Sequence, residues 1–201
     1  MDARIAEVRR LPDAVELVMQ DGNRRCFDQV VFACHSDQAR HLLADATLAE
    51  QQALEAIPYQ ENEVVLHTDT ALLPRARRAW SSWNYWLRAQ DQMQAVLTYN
   101  MNILQGISSP HCFCVTLNAS DAIDSRRIID TFTYSHPVFS LESVSAAHQL
   151  EQFNGRNRTW FAGAYLGNGV HEDGVVSGRK VADGINRCHG DSAWSRDVTH
   201  A

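Results

Sequence analysis

The residues best suited to chemistry lie near the end of the chain. They are Thr159-Trp160-Phe161-Ala162-Gly163-Ala164 and the run through Gly167, Gly169, His171-Glu172-Asp173 and Gly174-Val175-Val176-Ser177. A short apolar strand there ends in a glycine-rich turn and feeds a helix, read as Gly174 to Cys188. A helix N-terminus offers unpaired N–H groups and a partial positive charge, and glycine lets a ligand touch backbone. The corner therefore suits a phosphate or an electron-rich ring oxygen; the same residues also suit a closely packed strand-to-helix corner with no ligand. It is not a dinucleotide fingerprint, because Gly167-x-Gly169 would need its third glycine at the position of Glu172. His171-Glu172-Asp173 reads either as the polar cap of the helix or as a group lining a site. No metal is expected there, since Val175 stands where a helical His pair would place its second ligand.

Other candidates are more scattered. Cys112-x-Cys114 puts two thiols on one face of a strand, for packing or for redox and metal work. Trp80, Trp83, Tyr85 and Trp86 either pack a sheet or line a cavity for an apolar substrate, with Asn84 as its polar handle. Arg75, Arg77 and Arg78 form a basic cluster that is a solvated face or a seat for an anionic head group. His136, just before Pro137, can move a proton near neutral pH or be structural. His136, His171 and Asn84 are thus the candidate catalytic side chains. No Ser-His-Asp set, P-loop or paired glycosidase carboxylates can be argued from spacing.

The elements that must position these residues follow from periodicity. Residues 4 to 34 read as a three-stranded antiparallel meander turning at Pro12-Asp13 and Asp21-Gly22-Asn23. Its third strand, Phe27 to Cys34, ends as an apolar run typical of a strand covered on both faces. Ser36 is read as the N-cap of a helix over Asp37 to Ala44, and Thr47-x-x-Glu50 as a capping box opening Leu48 to Ile57. Strands are expected at Glu63 to Thr68, Ala95 to Leu104, Cys112 to Asn118 and around Ile128 to Tyr134. Ser140 caps a helix to Phe153, with Leu141, Val144, Ala147 and Leu150 as its apolar stripe.

Composition bounds the rest. The 201 residues are 45% hydrophobic and 21% charged, as in an ordinary globular chain. The longest apolar run, Val30 to Cys34, is far short of the roughly 18 residues of a membrane span. A net charge of −6 argues against nucleic acid as a partner. Five scattered cysteines and no leader at Met1 point to reduced thiols and a cytoplasmic location.

Several of these stretches, in order and at matching separations, resemble the C-terminal half of a flavin-containing amine oxidase-like oxidoreductase of the bacterial NAD/FAD-binding type. They are Val8-Arg9-Arg10 to Val18 with Phe27 to Ala33, Ala79 to Tyr85, Thr98 to Asn102, Val115 to Asn118, Tyr134 to Pro137, and Phe161-Ala162-Gly163 through His171 to Gly178. The resemblance runs from about Ala3 to Asn186. It implies an α/β to α+β fold: part of a Rossmann-type FAD domain from 1–35 and 154–188, a substrate domain from 36–153 with a mixed or antiparallel sheet and helices, and a polar tail at 189–201.

It further implies FAD, with Ile5, Ala162, Gly163, Glu172, Asp173, Gly174 and Val175 beside the cofactor and Trp83, Tyr85 and Trp86 around an apolar or amine substrate. The activity implied is an amine oxidase- or desaturase-like FAD-dependent oxidation, in a portion lacking the G-x-G-x-x-G unit. The alternative is a non-catalytic module that self-associates, or binds a partner half or a lipid-like ligand. Two departures stand out: Ala164 replaces the glutamate that many relatives carry after Phe-Ala-Gly, and no cysteine is placed to bind flavin covalently.

Overall fold

A computed structural model describes residues 4–87 and 96–189. In chain order, β1 (Ile5–Arg10), β2 (Val15–Met19) and β3 (Arg24–Phe27) form the antiparallel meander, and β4 (Val30–Phe32) follows at once. Helices α1 (Ser36–Leu42) and α2 (Leu48–Glu55) come next. Then come β5 (Tyr59–His67), β6 (Trp83–Trp86), β7 (Val96–Asn100), α3 (Met101–Gln105), β8 (Cys114–Leu117) and β9 (Ile128–Pro137). The described residues end with α4 (Leu141–Phe153), β10 (Thr159–Phe161) and α5 (His171–His189). The fold class is α+β, with one parallel strand pair among the described residues, and none of the described helices is long and apolar enough to cross a membrane.

The chain divides into two compact units, 1–59 with 137–201, and 60–136. By packing, then, the divisions fall at 59/60 and 136/137 rather than at the expected 35/36 and 153/154. The physical reason is that α1, α2 and α4 bury their apolar faces in the same core as β1, β4 and β10: Ala39, Leu43, Leu54, Ala147 and Leu150 cluster with Val8, Phe32 and Phe161. The expected polar tail lies, beyond His189, outside the described residues.

In the first unit the expected third strand splits in two. Arg24–Phe27 completes the meander, pairing Val15 with Phe27, while Val30–Phe32 leaves it to pair in parallel with β10, Val30 opposite Thr159 and Phe32 opposite Phe161. That strand is not covered on both faces, since Phe32 is buried but Val31 is 42% exposed. β1 is tied to α2 through Arg10, whose guanidinium grips both oxygens of Glu50, at 2.6 and 2.9 Å, and reaches Asp45 at 2.9 Å. Glu50 simultaneously accepts from the N–H and hydroxyl of Thr47, closing the capping box read from the sequence.

Two helix readings need correction. His35, not Ser36, caps α1; Ser36 lies inside it, buried, its N–H donating to the Tyr59 hydroxyl at 3.0 Å. In α4 the buried face is Ser143, Ala146, Ala147 and Leu150, with Leu141 94% exposed. The reciprocal Ser140–Ser143 cap turns Ser143 inward and so rotates the stripe by a residue.

The second unit is a five-stranded sheet in the order β6-β7-β8-β5-β9. The strand expected over Ala95 to Leu104 stops at Asn100, whose side chain accepts the Ile103 N–H at 3.2 Å and starts α3. Gly106, at φ 65°, ends that helix in the left-handed conformation glycine adopts without cost.

Candidate functional site

The strand-to-helix corner of the first unit assembles much as its residues suggest, with one shift. β10 ends at Phe161, whose ring stacks on Phe32 at 5.6 Å, and Ala162 continues the ladder by donating to the Phe32 carbonyl at 3.0 Å. The Gly163 N–H donates to Ser177 Oγ at 3.0 Å, and that hydroxyl donates to the Gly174 carbonyl at 2.8 Å. Ser177 thus staples the end of the strand to the first turns of α5. A Cβ on Gly163 would lie 2.5 Å from the buried Tyr165 ring, so only glycine fits without displacing it.

The shift concerns where α5 begins. It starts at His171, not Gly174, so the open N–H groups of its first turn belong to His171 and Glu172 rather than to Gly174–Ser177, while Asp173 and Gly174 already donate to the Val170 carbonyl. Asp173 turns back and accepts from the N–H groups of Asn168 and Val170, at 2.9 and 3.1 Å, which pins the glycine-rich loop onto the helix start. Glu172 and Val175 are exposed, Gly174 is half-buried, and the space beside Gly174 is open, with the Ala164 nitrogen 4.0 Å from where a Cβ would be. Further along the helix, Gly184 lets α5 lie flat on the Trp160 ring, which a Cβ would meet at 2.4 Å.

The geometry therefore brings together Ala162, Gly163, Asp173 and Gly174. Ile5 lies on β1, half-buried against the core that also holds Phe161 and Tyr165. His171 is exposed at the helix start. Sequence reasoning missed Tyr165, 5% exposed, whose hydroxyl has no hydrogen-bond partner among the described residues. Burial pushes its phenol far up, with further contributions from Tyr59 and Cys34. A cavity of about 340 Å³ opens beside it, between α4 and the loop, lined by Phe139, Val144, His148, Leu166 and Asn168. A tyrosine in a glycine-rich run carries no periodicity that would single it out.

In the second unit, pairing register sorts the aromatic run. Trp83 opposes Tyr99 and Tyr85 opposes Leu97, while Asn84 and Trp86 oppose Thr98 and Val96 and so point to the other face. The three aromatics do not converge; all are exposed, and Trp83 packs edge-on to Tyr99 at 5.3 Å. Asn84 spends its amide on backbone, donating to Ser81 O at 2.7 Å and Thr98 O at 3.2 Å and accepting from the Ser81 N–H. His136 Nδ1 meets the Asn62 amide at 3.0 Å at the opposite end of β9 from Arg127. Cys112 and Cys114 sit with sulfurs 4.0 Å apart; burial, then the neighbouring thiol, pushes Cys114 up to about 12, so it is an inert thiol at neutral pH.

The covered face of this sheet is unusually polar. His67, Thr98, Asn100 and Thr116 are each at most 1% exposed. The Asp69 N–H donates to His67 Nδ1 at 3.1 Å, which fixes the tautomer: Nε2 carries the proton and gives it to Thr116 Oγ1 at 2.7 Å, and Thr116 and Thr98 share a bond of 2.8 Å. Burial holds the His67 pKa below its usual value. Because the unfolded chain takes up this proton first, stability falls as pH drops below about 6.5 and continues to fall until the folded-state pKa is reached. Thermal melts from pH 8 to 5 should show this loss, and His67→Gln should flatten it; an equal slope in the variant would assign the loss elsewhere.

No family model matches the sequence, and no curated protein sequence matches it. Solved structures do share its fold. A fatty acid isomerase from P. acnes, described as producing CLA, superposes with a TM-score of 0.62 at 17% identity over 90% of this chain and 47% of that one. Cyclohexylamine oxidase from Brevibacterium oxydans IH-35A gives 0.61 at 12% identity over 92% and 48%. A putrescine oxidase redesigned in its cofactor binding gives 0.59 at 12% identity over 92% and 49%. The chain spans about half the length of each.

Proposed function

We propose that this chain supplies one side of the flavin site of an FAD-dependent oxidoreductase of the amine oxidase or desaturase type. The observation that carries the reading is the Ser177-stapled corner, in which a buried strand end, a glycine that admits no Cβ and the start of a 19-residue helix converge. The fold shared with two amine oxidases and a fatty acid isomerase supports it. The residues fit the group: the space beside Gly174 is open, and the first turn of α5 offers the N–H groups of His171 and Glu172 and the positive end of the helix dipole to an electron-rich ring. FAD, when bound, would accept hydride from a C–H carbon as its C–N or C–C bond becomes C=N or C=C, with a proton leaving the neighbouring atom. The chain's own share is binding and orientation: Ser177 fixes Gly163, Asp173 fixes the loop, and the apolar wall around Tyr165 keeps water away. No strong base among its side chains is required.

The test is a fluorescence titration of FAD with the purified chain. Saturable quenching is expected, weakened by Gly163→Ala, which forces the Tyr165 ring, and by Asp173→Ala, which frees the loop. No quenching by the wild-type chain would overturn the reading. A non-catalytic pairing module is the second reading, favoured by the exposed Val31 on a parallel sheet of only two strands. Light scattering on the same samples separates the two: an assembly larger than a monomer with no flavin signal supports pairing.

A further inference from the structure

One end of the second unit's sheet gathers the ends of β5 and β7 and the starts of β8 and β9, and a cavity of about 600 Å³ lies there. We propose that this cavity binds an organic carboxylate with an apolar body. Arg77, Arg127 and His111 line it, and among the described residues no carboxylate side chain does. Arg127 forms long ion pairs with Asp69 and Asp124, each at 4.0 Å, too far for a hydrogen bond. Asp69 is already engaged by the N–H groups of Ala71 and Asp124, and Asp124 by Arg126. Both guanidinium groups thus keep N–H donors for a planar anion, Arg77 supplying the less compensated charge, and a guanidinium fork matches such an anion in shape.

The remaining walls suit the rest of such a molecule. Trp80, Ile103 and Pro110 are apolar surfaces on the same cavity. The Trp80 ring is held by its N–H donating to Pro74 O at 2.8 Å and by Arg77 stacked over it at 5.3 Å, so the cation and the apolar plate are positioned together. The wall bearing His111 is also fixed: Asn102 donates to the carbonyls of Ile107 and His111, at 3.2 and 2.9 Å, and accepts from the Phe113 N–H at 2.7 Å. A site built before its ligand arrives loses little on ordering. This inference stands apart from the flavin reading, since every residue named lies within 60–136.

Calorimetric titration of the full chain with phenylbutyrate tests it, with the His111 ring followed by NMR. Saturable binding that shifts the His111 resonances is expected. Arg77→Gln with Arg127→Gln should weaken it by about tenfold or more, because charge-assisted hydrogen bonds are lost. Both side chains are exposed, so the double variant should melt as the wild type does, and Arg77→Lys should weaken binding less than Arg77→Gln. Equal affinity for the neutral phenylbutanol, tighter binding of inorganic phosphate, or an unchanged affinity in the double variant would each overturn the proposal.

Discussion

Arg10→Met is expected to destabilise the first unit by about 3–5 kcal/mol, read as a lowered midpoint in urea with little change in slope. Arg10 and Glu50 are each only 5% exposed at the side chain, so removing one partner strands a buried carboxylate. Burial alone would push Glu50 up; Arg10 first, then Thr47, holds it below the usual carboxylate range. In the wild type that stabilisation is complete above about pH 4.3 and is lost as pH falls through the lower folded pKa. Arg10→Met should remove much of that acid-side loss. The double variant Arg10→Met, Glu50→Leu should recover part of the stability, because no charge is then left unpaired. Equal stability of the single and double variants would show that the buried carboxylate is not what the single variant suffers from.

Phe161→Ala should cost about 3–5 kcal/mol, the range for emptying a fully buried aromatic site. Phe161 is 0% exposed and stacks on Phe32 across the parallel pair, so the cavity would open where β4 and β10 hold one another. Phe161→Leu should lose clearly less. The same change loosens the strand end that sets Gly163, so flavin quenching should fall in parallel with stability. A loss below about 1 kcal/mol would mean that the core collapses around the vacancy and that the pair is held by its backbone bonds instead.

What could be read from the residues was local. Thr47-x-x-Glu50 and the Asp21-Gly22-Asn23 hairpin each specify their geometry within a few positions and formed as read, and the Phe161-Ala162-Gly163 corner formed with its strand ending at Phe161 and its helix starting three residues early. What could not be read depends on distant partners or on one side chain winning a local competition. Phe27 to Cys34 looks like one strand because the partner that draws Val30–Phe32 away, β10, is far along the chain. Asn100 ends a strand that propensity would continue because its side chain satisfies a helix donor. Asp173 moves the start of α5 back to His171 by occupying the loop amides itself. The interior sheet face was illegible because His67, Thr98, Asn100 and Thr116 are polar; only the register that places them together lets them satisfy one another.

The parallel pair also sets an order of events. Arg158 donates to the Asp28 carbonyl across 130 residues, and between those two points lies the whole of the second unit. During synthesis the meander can close on its own hairpins, but β4 must wait until residues 159–161 have emerged. Closing so long a loop costs chain entropy that a folded 60–136 segment reduces, since it shortens the effective tether. The inserted unit thus acts on the first as a splint as well as a neighbour in sequence, and the corner carried by β10 and α5 is among the last parts that can take shape.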